Sequence, residues 1–405
     1  MKVLLVHNYY QQPGGEDQVF ATEAALLEAH GHCVVRYTVH NNQVAEMNLL
    51  PLVQATVWNK AVYRELRALI GRERPQVAHF HNTFPLISPA AYYAAKAEGV
   101  PVVQTLHNYR LLCPNGIFFR DGHVCEDCLG KAVPWPGVVH ACYRGSRAGT
   151  GVVAAMLTLQ QVLKIPTEVV NLYIALTEFA REKFIQGSLP AEKIVVKPNF
   201  VHPDPGLGEG LGGYGLFVGR LSPEKGIETL LAAWERLGNK VPLKIVGDGP
   251  LALQVAEAAQ QMPGVEWLGH LPKTQVLALM KDALVLLFPS LWYEGFPMVL
   301  VEAYAVGLPV VASELGSMSS LIAPGRTGLH FHPGNPEDLA AQVEWFLTHP
   351  AGLTQMRREV RAEFEAKYTV EQNYQMLMEI YERVCCAYRE RNPYSGFCSD
   401  SVHLK

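Results

Sequence analysis

Nowhere does the 405-residue chain run uninterrupted through the ~18 apolar residues that a membrane span requires. The longest candidate, residues 151–165, is broken by Thr158, Gln160, Gln161 and Lys164. The opening MKVLLVHNYY has only Val3 to Val6 as an apolar run before His7, too short for a secretory signal. Charge is sparse as well: 18% of residues are charged and the formal net charge is -4, which speaks against a nucleic-acid partner. These absences predict a cytoplasmic globular protein, compatible with peripheral contact at the inner face of a membrane.

At 405 residues the chain exceeds the ~250–300 over which one core usually grows, so two domains are expected. Charge divides unevenly between its halves. Residues 1–197 carry 18 Lys and Arg against 15 Asp and Glu, and residues 198–405 carry 16 against 23. A mildly basic first half suits an anionic partner or membrane surface, and a chance split of surface charge explains it equally well.

Both halves alternate strand-like and helix-like patterns. KVLLVHN (residues 2–8) is a buried-strand run that meets a Gly-Gly turn. A helix is expected over 16–30, with Gly31 as its stop. Further strands are expected at 32–40, 76–82, 101–108 and 172–177. Residues 198–213, rich in proline and glycine, read as a linker. The pattern restarts with YGLFVGR (214–220) and continues with strands at 243–249, 265–270, 283–290 and 309–313. Such alternation predicts the α/β class, with a doubly wound parallel sheet in each half. The expected division is a first domain over 1–197, the linker 198–213 and a second domain over 214–369. A helical segment over 370–391 is able to cross back to the first domain, and 392–405 is a weakly patterned tail.

Open sheets of this kind bind ligands at the carboxyl ends of their strands. The most informative segment is PSLWYEGFPMVLVEAYAVGLPVVAS, residues 289–313. Glu294 falls in the loop after a strand, followed by Gly295, Phe296 and Pro297. Pro297 suits a first helical position, and Glu302 then lies in the second turn, roughly 8 Å further along the axis. A helix N-terminus offers unpaired N–H groups to a phosphate, and an ionised carboxylate can grip two neighbouring hydroxyls.

This segment resembles the acidic signature of glycosyltransferase family 4, two glutamates separated by seven residues. VGRLSPEKGIETLLAAWERL (218–237) resembles the same family's diphosphate-binding strand, turn and helix, with Arg220 and Lys225 at its phosphate-binding cations. HNYYQQPGGEDQVF (7–20) resembles its first glycine-rich loop, with Gly14 and Gly15 able to approach phosphates closely. That loop is not the G-x-G-x-x-G of dinucleotide dehydrogenases. IVGDGP (245–250) and EWLGHLP (266–272) match the family's turns near the nucleotide, placing Gly247, Gly269 and His270 on the donor side. His107, ending the strand in TLHNYRLLCPNG (105–116), matches the histidine that faces the donor sugar. His81 and Asn82 end the preceding strand and are candidates to face the acceptor.

The resemblance implies the GT-B fold, two Rossmann-like doubly wound domains facing across a cleft. It implies retaining transfer of a sugar from a nucleotide-diphosphate donor to a glycan or lipid-linked acceptor, in surface polysaccharide or glycolipid synthesis. His107, Arg220, Lys225 and Glu294 would carry the chemistry. Gly14, Gly15, Gly247, Gly269, His270, Gly295, Phe296, Pro297 and Glu302 would hold the donor. The chain has no Asp-x-Asp pair to hold a divalent cation, so no cofactor is expected for catalysis. Eight cysteines are present, four of them in residues 113–142. Cys113, Cys125, Cys128 and Cys142 leave two readings open, a structural zinc site or buried and redox-active thiols. A nucleotide-sugar epimerase of similar architecture, a glycoside hydrolase and a non-catalytic nucleotide-sugar-binding protein are the alternatives.

Overall fold

Val3, Leu4, Leu5 and Val6 are completely buried in strand β1 (Lys2–Tyr9). Burial on both faces is what a central parallel strand demands, and it explains why this run is apolar without alternation. The computed structural model describes residues 1–12 and 14–391. The expected tail, 392–405, lies outside the described residues.

The chain divides into two compact units. Among the described residues, the first takes in residues up to 116, 126–197 and 374–391; the second takes in 117–125 and 198–373.

In the first unit β1 is joined by β2 (Cys33–His40), β3 (Val77–Phe80) and β4 (Val102–Leu106). A two-stranded hairpin, β5 (Phe119–Arg120) with β6 (His123–Val124), interrupts the series and belongs to the second unit. β7 (Leu172–Ala175) and β8 (Ile194–Val196) complete a six-stranded sheet. Its order is β2-β1-β3-β4-β7-β8, and every pairing in it is parallel. Connections leave β1 toward β2 on one side, while β3 is placed on the other, so the switch point lies between β1 and β3.

The core on one face of this sheet packs Val3 and Leu5 against Phe20, Ala24 and Leu27 of the helix Gly15–Ala29. Leu377, Ile380, Tyr381 and Val384 of the last helix, Val370–Arg391, close the same cluster. Each Val, Leu, Ile or Phe side chain among these contributes about 1.5–3 kcal/mol when withdrawn from water.

The second unit has β9 (Gly215–Val218), β10 (Leu243–Val246), β11 (Val265–Trp267), β12 (Val285–Phe288), β13 (Val310–Ser313) and β14 (Gly328–Phe331). The order is β11-β10-β9-β12-β13-β14, again all parallel. This is the doubly wound order whose switch point falls between the first strand, β9, and the fourth, β12. The strands read from the sequence are all present, and most are a few residues shorter than their apolar runs. β8, β14 and the hairpin are additions. Three or four residues such as IVV and GLHF are too short to show a period.

Candidate active site

The second unit brings its chemistry to the switch point. Loops leaving β9 and β12 lie against each other there, because Leu291 N donates to the Glu224 carbonyl at 2.8 Å. Gly226 has φ +71°, and a Cβ on it would stand 1.8 Å from the Pro289 carbonyl oxygen. Only glycine satisfies both demands. The close approach delivers Lys225 onto Glu294.

Glu294 is buried, and three donors converge on its Oε1. Lys225 Nζ, Ser290 Oγ and Trp292 Nε1 each donate to it at 2.7 Å. A carboxylate has about four lone-pair sites, so this arrangement fixes the group and leaves Oε2 to accept from a ligand. The Lys225 ammonium also stands 5.3 Å from the Trp292 ring centroid and 5.7 Å from that of Phe288. Arg220 is exposed on the same loop, with no salt bridge to a described residue.

Glu302 lies in the second turn of the helix Met298–Ala305 and is buried, with Lys273 Nζ 3.1 Å from its Oε1. Burial raises its pKa above the ordinary carboxylate value, and Lys273 opposes the rise. Pro297 is the residue before this helix, one position earlier than its fitness for the first turn suggested. The Phe296 ring is buried 5.8 Å from that of Tyr368, so its side chain serves the core. Gly247 is likewise occupied. At φ +140° its Cβ would stand 1.8 Å from the Gly219 carbonyl oxygen, so glycine is needed there to pack two loops together. Its N–H donates to Gly269 O at 2.8 Å, and the neighbouring His270 is exposed.

In the first unit, Gly14 precedes the helix Gly15–Ala29 with ordinary extended backbone. Its N–H donates to Asp17 Oδ2 at 2.9 Å, while Asp17 Oδ1 is 2.7 Å from His7 Nε2. Glu16 accepts from Tyr10 Oη at 3.0 Å and from Asn108 Nδ2 at 2.7 Å. Two carboxylates therefore already complement the positive end of this helix. That works against the expected phosphate contact at Gly14 and Gly15.

His107 lines a small pocket within this unit, together with His81, Asn82, Gln104, Asn108, Arg110 and Gln160. Arg110 stacks 4.6 Å from the Phe84 ring centroid and reaches the Pro114 carbonyl. Behind His107 lies a buried polar cluster. His81 Nδ1 is 3.0 Å from His107 Nε2, and His81 Nε2 is 3.4 Å from Glu23 Oε2. Lys197 Nζ donates to Glu23 Oε1 at 2.6 Å. His79 bonds Tyr381 Oη and Thr105 Oγ1, both at 2.8 Å. His81 is buried and lines the pocket beside His107. Asn82 donates to Asn8 O at 2.7 Å and accepts from Phe84 N at 3.0 Å, so it holds the turn.

Burial pushes the pKa of His79 and His107 down to about 4, and that of His81 well below its ordinary value. All three rings are neutral at physiological pH. For Glu23 burial favours the neutral acid, but the Lys197 ammonium wins and holds the carboxyl below its usual range.

Of the four clustered cysteines, Cys113 and Cys128 are buried and Cys125 and Cys142 half-buried. Among the described residues, the group of three or more ligand atoms within 4.8 Å of one another is Glu23, His79 and His81. The cysteine sulfurs do not form such a group, so the zinc reading gains no support from their placement.

Set beside known proteins, residues 13–205 match the family profile described as Glycosyltransferase Family 4, and residues 213–363 match that described as Glycosyl transferases group 1. The chain belongs to glycosyltransferase family 4. The two matches follow the two sheets. Glycogen synthase of Mycobacterium tuberculosis is 35% identical over 152 residues, 36% of this chain and 36% of that protein. The chain therefore spans about a third of that relative's length. The phosphatidylinositol N-acetylglucosaminyltransferase gpi3 subunit of Schizosaccharomyces pombe is 24% identical over 97% of this chain and 80% of its own. The crystal structure of Anabaena HepE in complex with UDP-glucose superposes with a TM-score of 0.66 at 18% identity, covering 95% of this chain and all of that one. The GT-B fold of the family is thus the fold found here.

The sequence reading named Lys225 and Glu294 but missed Ser290 and Trp292, which aim the carboxylate, although both stand in the segment it singled out. It also missed Glu23 and Lys197. A signal existed for Glu23, which sits on the apolar stripe of its helix, three positions after Phe20 and four before Leu27.

Proposed function

We propose that this protein is a retaining glycosyltransferase that moves a sugar from a nucleoside-diphosphate donor onto an acceptor hydroxyl, in the synthesis of a surface polysaccharide or a glycolipid. The observation that carries the reading is the fixed Glu294 carboxylate. One oxygen is saturated by Lys225, Ser290 and Trp292, and the other is left to accept from sugar hydroxyls. Arg220 and Lys225 supply positive charge where a departing diphosphate gains negative charge. Glu302 is placed to accept from the donor's ribose hydroxyls. Family membership supports the class of reaction. UDP and UDP-glucose, bound by Anabaena HepE, make uridine donors the first to try. The name of the gpi3 relative favours a lipid-linked acceptor.

In the proposed reaction the bond from the sugar's anomeric carbon to the diphosphate oxygen breaks. The acceptor oxygen bonds that carbon on the same face, and its proton passes to the leaving phosphate. Arg220 and Lys225 take the role that a divalent cation plays elsewhere, so transfer proceeds in EDTA.

The deciding experiment incubates the protein with a panel of nucleotide sugars and follows nucleotide release with and without lipid-linked and glycan acceptors. Acceptor-dependent release with an α-linked product is expected. Release of free nucleotide with an epimerised sugar and no acceptor product would establish an epimerase instead. Donor binding without turnover would establish a binding protein.

A further inference from the structure

Lys197, Glu23, His81 and His107 form one line of contacts, whose last two members, His81 and His107, line the pocket. A buried ion pair contributes little net stability, because removing two charges from water costs about as much as their attraction returns. The pair therefore invites a role beyond holding the fold. The protons along the line supply one.

Glu23 Oε2 and His81 Nε2 are both buried without a hydrogen-bond partner, and they face each other at 3.4 Å. An ionised carboxylate can only accept. A proton on His81 Nε2 gives both atoms a partner after a shift of a few tenths of an ångström. A neutral imidazole carries one N–H, so His81 Nδ1 then holds a lone pair. At 3.0 Å His107 Nε2 must be the donor to it. His107 is left with its lone pair on Nδ1.

We infer that Glu23, held ionised by Lys197, acts through His81 as a positioning residue that fixes the tautomer of His107, so that His107 offers the pocket a hydrogen-bond acceptor for a substrate hydroxyl. The reversed chain would give His107 an Nδ1–H donor and would set the His81 Nε2 lone pair against the carboxylate. A metal ion held by Glu23, His79 and His81 is the competing use of the same atoms. It would have to displace the Tyr381 hydroxyl from His79 Nδ1 and stand beside the Lys197 ammonium. The inference rests on the transferase reading only for the identity of the hydroxyl.

The test records long-range ¹H–¹⁵N correlations of histidine-labelled protein near neutral pH, with the His107 signals assigned by their loss in His107→Gln. The native protein is expected to show His107 protonated on Nε2. Glu23→Gln paired with Lys197→Met leaves no buried charge behind, so the fold survives a change that Glu23→Gln alone could upset. In that double variant the amide replacing the Glu23 carboxylate can donate as well as accept, and His107 shifts to a mixed or Nδ1–H form. Its kcat falls about 10–100-fold, the size of loss seen when a group that orients a reacting residue is removed. An Nδ1–H form in the native protein would overturn the inference. So would an unchanged tautomer in the folded double variant, or stoichiometric zinc lost on Glu23→Gln. Spectra remain readable if no nucleotide sugar is turned over, so failure of the transferase reading is told apart from failure of the relay.

Discussion

Lys225 Nζ stands 2.7 Å from Glu294 Oε1, although 69 positions of chain separate the two residues. The cation has two tasks in the proposed reaction: it aims the carboxylate and it faces the leaving group. Lys225→Ala is therefore expected to lower kcat/KM by about 10²–10³, as when one transition-state donor is removed. Arg220→Ala, which disturbs no ion pair among the described residues, should lower kcat without altering the melting temperature. Steady-state kinetics on both single variants and the double variant test this. Unaltered transfer in the double variant would remove Arg220 and Lys225 from the mechanism.

Glu302 is expected to separate binding from stability. Its ionised form is opposed by burial, and the exposed Lys273 opposes the shift without cancelling it. Glu302→Gln removes that burial cost, so the melting temperature should hold or rise. Donor binding should weaken by ~1.5–3 kcal/mol, the worth of a lost charged hydrogen bond, in calorimetric titration with a nucleotide sugar.

Acid should unfold the first unit through its buried histidines. His79 and His107 titrate near 4 when folded, against about 6.5 when unfolded. The unfolded chain then binds more protons below pH ~6.5, so stability is complete above that pH and is lost as pH falls toward 4. Each histidine contributes at most ~3 kcal/mol to this loss. Glu23, depressed in the folded state, adds its own loss below its unfolded value of about 4.3. Melting temperatures across this range should decline steadily, and His79→Gln should flatten the decline.

The segment 117–125 should tune the donor loop. Phe118 is fully buried in the second unit, with its ring centroid 6.3 Å from that of Tyr293, the neighbour of Glu294. Phe118→Ala deletes a large buried ring and is expected to cost about 3–5 kcal/mol of stability. Phe118→Leu keeps most of the volume. It should raise donor KM with less loss of stability, as measured by kinetics alongside thermal melting.

Much of this protein is legible in its sequence. Apolar runs such as VLLV and LVLLF, each meeting a glycine or proline turn, dictate buried parallel strands, because both faces of such a strand must be covered. The spacing of Glu294, Pro297 and Glu302 dictates a loop acid, a helix start and a second acid one helical turn on. His79 on β3 and His81 just beyond its end are two positions apart, so the alternation of an extended chain turns them to one face. All of these follow from local periodicity and local backbone chemistry. The sequence does not say which strands become neighbours. Strand order placed β12 beside β9, and with it Lys225 on Glu294; the packing of the helix Gly15–Ala29 on the sheet placed Glu23 between Lys197 and His81. Those pairings join residues 69 and 174 positions apart, and they depend on long-range packing that no local pattern encodes.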